Sequence, residues 1–184
     1  AAADGLTMRR IVIAIAALVA IGVTGRLGLW QLDRARQKTD LQALIDARRH
    51  LPPLAQRDLA HDDRGAAEQH QRQVTVRGRW LSAATVYLDN RSQDGQAGFI
   101  VVTPLLLTEG DAVLVQRGWT PRHRLDRSRL VPLATPQGPI DLIGIAAPPP
   151  YRVYSFGGED HGLIRQNLDL AEFAREIRVP LRPL

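Results

Sequence analysis

The chain has no cysteine, one methionine, a single lysine (Lys38) and only 5% aromatic residues in 184. Each scarcity removes a class of chemistry. Without thiols there is no disulfide framework, no cysteine nucleophile, no CxxC redox pair and no cysteine-based zinc or iron–sulfur site. Soft Cu(I) sites are built from thiolate or thioether sulfur, which disfavours copper delivery. The lack of cysteine fits an oxidising compartment without demonstrating one. Few aromatics means no stacking platform for bases. The net charge is +5, but arginines are scattered from Arg9 to Arg182 among interleaved acids, which reads as a solvated basic surface, and no nucleic-acid partner is expected. GxSxG, HExxH, P-loop and GxGxxG patterns are all missing, so no catalytic residue and no metal site is assigned.

What is present begins with an apolar run. Residues 1–7 precede Met8 and are set aside as extraneous or disordered. Arg9 and Arg10 lead into fifteen uncharged residues, 11–25, enough for a helix of about 22 Å against a hydrocarbon core of about 30 Å. If Arg26 snorkels and the helix runs on to Leu32, the span closes with Trp30 at the interface. Residues 8–32 are therefore expected to form a transmembrane anchor, with a cleaved signal peptide and a buried soluble helix as the rival readings. Arg34, Arg36 and Lys38 on the far side compete with Arg9 and Arg10, so the charge count leans towards a cytoplasmic domain and does not settle the side. Residues 33–71 read as an amphipathic helix, stopped by Pro52 and Pro53, followed by a polar loop over 54–71.

From residue 72 the pattern becomes β. Val74, Val76, Gly78 and Trp80 alternate with polar partners, as in a half-buried strand. A second strand follows over 84–89 and then a turn-rich loop over 90–98. Residues 99–107 form an apolar strand in which Pro104 suggests an edge or a bulge. A turn at 108–111 leads into 112–119, predicting a hairpin. Further strands are expected at 140–146, 151–156 and 163–166, and Asp169 caps a short helix over 170–177. The expectation is a mainly β small barrel or sandwich of about six strands, with an N-terminal transmembrane helix and a short C-terminal helix.

His50, His61, His70, His123 and His161 sit in polar surroundings and read as solvated. His161, beside Glu159 and Asp160, is the one that could join a small hard-metal site. Ser128 and Ser155 have no base partner in sequence. An unrecognised hydrolase using His161 or His123 would need such a partner in space. More unusual are Trp30, Gln31 and Arg34 after the apolar run, Asp89-Asn90-Arg91 at one strand end, and Gln116-Arg117-Gly118-Trp119 with Pro121 at another. Taken singly these fit structural roles: a turn cap, a bulge, a core aromatic, an ion pair. Alternatively Arg91 or Arg117 presents its planar fork to a carboxylate ligand or partner.

Together, in order and spacing, these segments resemble the surfeit locus assembly-factor family, which supports cytochrome c oxidase biogenesis. The matching residues are Trp30, Gln31 and Arg34, then Gly78, Asn90, Arg91, Gly98 and Pro104, and finally Arg117, Gly118, Trp119 and Pro121. Gln166-Asn167-Leu168-Asp169 is similar to a later block. Gln116 departs from the family, which more often has Asn there. The resemblance implies a non-enzymatic inner-membrane protein whose domain (72–184) faces the periplasm, or the intermembrane space in mitochondria. It would aid insertion of haem a into the oxidase catalytic subunit. Implied partners are that subunit, membrane lipid and, as a further candidate, haem a synthase. Family members usually close with a second transmembrane helix bearing a haem-associated His. This sequence stops at Leu184 without one, so truncation is expected and no haem ligand is assigned. The competing function is a signal-anchored envelope interaction module unrelated to haem.

Overall fold

The computed structural model describes residues 2–123, 125–126, 129–131, 133–150 and 162–184. They divide into two compact units, residues 1–48 and 49–184.

The first unit is one helix, α1 (Ala2–Arg49). No proline falls inside it, and the first, Pro52, comes just after its end. The Thr24 hydroxyl is satisfied by donating back to the Ala20 and Ile21 carbonyls at 2.8 and 3.0 Å. Leu18 and Ile21 are 69% and 67% exposed, and Leu27 and Leu29 also lie open. Among the described residues no helix is long and apolar enough to cross a membrane. The uncharged stretch ends at Arg26, and the second half of α1 is studded with charges.

The second unit is built on a mixed seven-stranded sheet. Its elements are β1 (Leu54–Ala55), α2 (Asp63–Gln69), β2 (Gln73–Trp80), β3 (Val86–Gln93), β4 (Gln96–Leu107), β5 (Ala112–Pro121), β6 (Pro139–Ile145), β7 (Ile164–Arg165) and α3 (Leu170–Ile177). The long strand β4 organises the sheet. One of its edges pairs antiparallel with β5. The other pairs with β3 as far as Val102 and then with β2 from Leu105. β6 runs antiparallel to β2, while the two-residue strands β1 and β7 add in parallel to β2 and β3.

This corrects the expectation of a barrel or sandwich of six strands. Among the described residues the sheet does not close: of the strands, β5 pairs with β4 alone and β6 with β2 alone. The extra strand β1 is too short for alternation to reveal it, whereas β7 falls within the strand expected at 163–166. Residues 54–71, read as a polar loop, hold β1, a 3-10 turn at Gln56–Asp58 and α2, whose first turn is capped by Asp62 accepting from the Gly65 amide at 2.7 Å. Residues 90–98, also read as a loop, continue the ladder through a tight turn, with Asp94 and Gly95 at φ 50° and 77°. Positive φ at both central residues matches the strand twist of a two-residue hairpin. Pro104 was expected at an edge or a bulge. It lies instead inside β4, at the point where β3 has stopped pairing and β2 has not begun, so its missing N–H breaks no ladder bond on that side. Its carbonyl accepts from the Leu81 amide at 2.9 Å.

Apolar side chains pack on both faces. One cluster joins Leu54, Leu59, Val76, Trp80, Leu105, Leu107 and Val113. Another places Phe173 of α3 against Val86, Leu88 and Val102. The expected C-terminal helix is present: Asp169 caps it by accepting from the Glu172 amide at 3.0 Å, and Arg178 ends it in the left-handed conformation. Beyond it, Leu181 forms a parallel bridge to Ala112 at the start of β5. The strand expected at 151–156, together with Ser128, Ser155, Glu159, Asp160 and His161, lies outside the described residues.

Candidate functional site

The motif residues of the second unit gather around two β-bulges. In β3, Leu88 faces Ile100 and Arg91 faces Gly98, so Asp89 and Asn90 together oppose one residue of β4. Asn90 takes φ 59°, a conformation asparagine tolerates better than most residues. A bulge shifts the side chains beyond it by one position. Arg91 is thereby turned inward, 2% exposed, and donates from Nη2 to the Gln166 carbonyl at 3.1 Å. Asp89 takes an ion pair from Arg122, whose guanidinium lies 5.7 Å from the Phe99 ring centre.

Trp119 closes this cluster from β5. Its Nε1–H crosses β4 and donates to the Arg91 carbonyl in β3 at 2.7 Å. The crossing is possible because Gly98 lies beneath it: a Cβ there would sit 2.4 Å from the indole and 2.4 Å from the Thr120 carbonyl. Asn90, Arg91, Gly98 and Trp119 thus form one three-strand lock. Pro121, opposite Gly98, ends β5 beside it.

The second bulge lies in β5, where Val101 faces Gly118 and Val102 faces Gln116, leaving Arg117 as the extra residue. Gly118, at φ 136°, supplies the backbone conformation this requires. The Arg117 guanidinium lies 4.6 Å from the Trp80 ring centre and donates to Thr135 Oγ1 at 2.7 Å and the Ala134 carbonyl at 3.1 Å. It ties the β5–β6 connection to the sheet. Gly78 and Pro104 belong elsewhere, where β2 meets β4. A Cβ on Gly78 would lie 2.4 Å from the Leu106 carbonyl. Trp30, Gln31 and Arg34 lie on α1, in the other unit, all exposed.

Two further polar groups, around Arg182 and Arg165, carry no signal that sequence reasoning used. Arg182 is 2% exposed and donates from Nε to Asp111 at 2.6 Å, from Nη1 to the Gln56 and Leu59 carbonyls at 3.1 and 3.0 Å, and from Nη2 to Glu109. Arg165 grips Glu176 with two bonds of 2.8 and 2.6 Å and lies over Phe173. Asp89 and Arg122 were separable from the background only as neighbours of the motif.

Among the described residues no three His, Cys, Asp or Glu side chains are placed to hold a metal ion. Cavities of about 260, 790 and 400 Å³ are lined chiefly by aliphatic and small polar residues, with no histidine in any of them. Haem iron needs an axial ligand in an apolar pocket. Among the described residues neither histidine nor methionine lines these three cavities.

The second unit is an open β scaffold stiffened at two bulges. Its motif spacing has a match. The SURF1 family profile aligns with residues 18–184, and the chain belongs to that family. It is 26% identical over 130 residues to the cytochrome oxidase assembly protein SHY1 of Saccharomyces cerevisiae, covering 68% of this chain and 33% of the yeast protein. It is 29% identical over 118 residues to Surfeit locus protein 1 of Arabidopsis thaliana, covering 58% of this chain and 33% of that one. A SURF1-like protein of Rickettsia felis is 25% identical over 168 residues, covering 89% of this chain and 70% of the relative. The chain thus spans about a third of the yeast and plant proteins it matches.

Proposed function

We propose that this protein is a non-catalytic, membrane-anchored assembly factor for cytochrome oxidase that acts by binding other proteins. The observation that carries the reading is the family match over residues 18–184, with a relative whose name states cytochrome oxidase assembly. The architecture supports it. The motif residues are spent on two bulges that hold three strands in one geometry, which suits a rigid docking face better than a reaction centre. In the finer reading the domain assists insertion of haem a into the oxidase catalytic subunit, with haem a synthase as a second contact. Anchoring is assigned to residues 8–32, within which apolar side chains such as Leu18, Ile21 and Leu27 lie open, with Trp30 as an interfacial residue. The anchored domain is placed on the periplasmic face of the inner membrane, or its mitochondrial equivalent.

Deleting the gene should lower both haem a content and oxidase activity in isolated membranes, and the intact gene should restore them. Normal values for both, in a strain without a second copy of the family, would overturn the proposal.

A further inference from the structure

Where the apolar run of α1 ends, the helix carries its cations in a line. Arg26, Trp30, Arg34 and Lys38 follow one another at every fourth residue. On a helix they stand one above the other along one face, over about 18 Å of its length. All four are exposed. The neighbouring acids sit off this line. Asp33 lies 3.9 Å from Arg36, which is on the other side of the helix from Arg34, and Asp40 comes one turn after Arg36. Among the described residues no carboxylate lies within ion-pair range of Arg26, Arg34 or Lys38, and Arg34 donates to the neutral Gln37 at 3.5 Å. The contrast with the second unit is sharp: there Arg122 is spent on Asp89, Arg165 on Glu176, and Arg182 on Asp111 and Glu109.

We propose that this stripe binds the headgroups of anionic phospholipids in the leaflet at the C-terminal end of the anchor. The proposal rests on the reading of residues 8–32 as a membrane anchor, and adds to it which lipid is selected and by which side chains. With Trp30 at the interface, Arg34 stands about 6 Å further along the axis, which is the depth of the headgroup layer. Helical Cα–Cβ bonds tilt towards the N-terminus, here the membrane side, so Arg34 and Lys38 lean back over the phosphates. Arg26 snorkels up to the same layer from the hydrocarbon side. A phosphate between these groups takes charge-assisted hydrogen bonds. A zwitterionic headgroup brings its own ammonium, which the stripe repels, whereas an anionic one does not. On the opposite face Asp33 and Asp40 offset Arg36, so no such preference arises there.

The test uses the full chain in phosphatidylcholine vesicles at low ionic strength, with a trace of spin-labelled phosphatidylglycerol or phosphatidylcholine as the probe. The motionally restricted part of the spin-resonance spectrum gives the relative affinity of the protein for each. Phosphatidylglycerol should be favoured by about fivefold or more, the worth of at least one surface cation, and the preference should shrink as salt is added. Arg34→Gln should cut the preference by roughly the same factor. Arg36→Gln removes an equal charge two residues away, on the opposite face, and should leave it nearly as it was. Glutamine keeps the helix propensity of arginine, so both variants should retain their helical signal. Two results would overturn the proposal: a ratio near one in the unaltered chain, as an acidic protein segment for an occupant would give, or equal losses from the two substitutions. The unaltered chain decides the matter even if a variant fails to fold. Anchoring is read separately, as retention on phosphatidylcholine vesicles through a high-salt wash. Retention with a ratio near one overturns the lipid selection and supports the anchor, whereas release by salt with the preference intact does the reverse.

Discussion

At the scale of single residues, glycine and arginine carry most of this domain's specification. Gly98 is irreplaceable because the indole of Trp119 and the Thr120 carbonyl occupy the place of a Cβ, each at 2.4 Å. Gly98→Ala must push the indole away and cost its bond to the Arg91 carbonyl. Overpacking together with one lost hydrogen bond predicts a loss of about 2–4 kcal/mol in urea unfolding, with quenched or shifted Trp fluorescence as the local sign. Arg182 makes the opposite case, a cation held in the interior by two carboxylates and two carbonyls. Arg182→Met strands those acceptors, Asp111 in particular being largely buried, and should cost about 3 kcal/mol. By contrast the Arg77–Asp141 pair, 3.8 Å apart with side chains 66% and 70% exposed, is a surface contact. Arg77→Ala should change the urea midpoint by no more than the roughly 0.5 kcal/mol typical of such sites.

At the scale of elements, α3 shows where sequence reasoning works. Asp169 signals a helix start, and the structure places its carboxylate on the Glu172 amide at 3.0 Å. Asp169→Ala should therefore cost about 1 kcal/mol, and loosening of Phe173 against Val102 and Leu88 should appear as faster exchange in those strands. Strand β2 and the β4–β5 hairpin were legible for similar reasons, since alternation and a polar turn are local signals. The misses share a different cause. Asp89-Asn90-Arg91 and Asp94-Gly95 together look like a loop, because the same residue types serve a bulge, a tight hairpin turn and an irregular connection. Only the register, with Arg91 opposite Gly98, separates these uses. β1 is two residues long and exists because β2 offers it an edge. The Arg182 network joins groups 71 to 126 residues apart in sequence, so no window of sequence contains it.

At the scale of the whole molecule, the unresolved question of charge count becomes an experiment that the composition makes clean. Arg9 and Arg10 before the apolar run compete with Arg34, Arg36 and Lys38 after it, which leaves the positive-inside rule balanced. The proposed orientation puts the folded unit on the outer face, and the absence of cysteine means that a single introduced thiol has no background. Arg57 is a suitable position: its side chain is 84% exposed and lies 3.7 Å from the adjacent, half-exposed Asp58. Arg57→Cys should leave stability within about 0.5 kcal/mol, since it removes only a surface contact. In intact cells a membrane-impermeant maleimide should label it fully, whereas the same reagent should reach a cytoplasmic thiol only after lysis. Labelling confined to lysed cells would reverse the orientation. The membrane fraction also has to retain the labelled chain after a high-salt wash. The net charge of +5 permits electrostatic adsorption, which salt screens, while apolar insertion of residues 8–32 would survive.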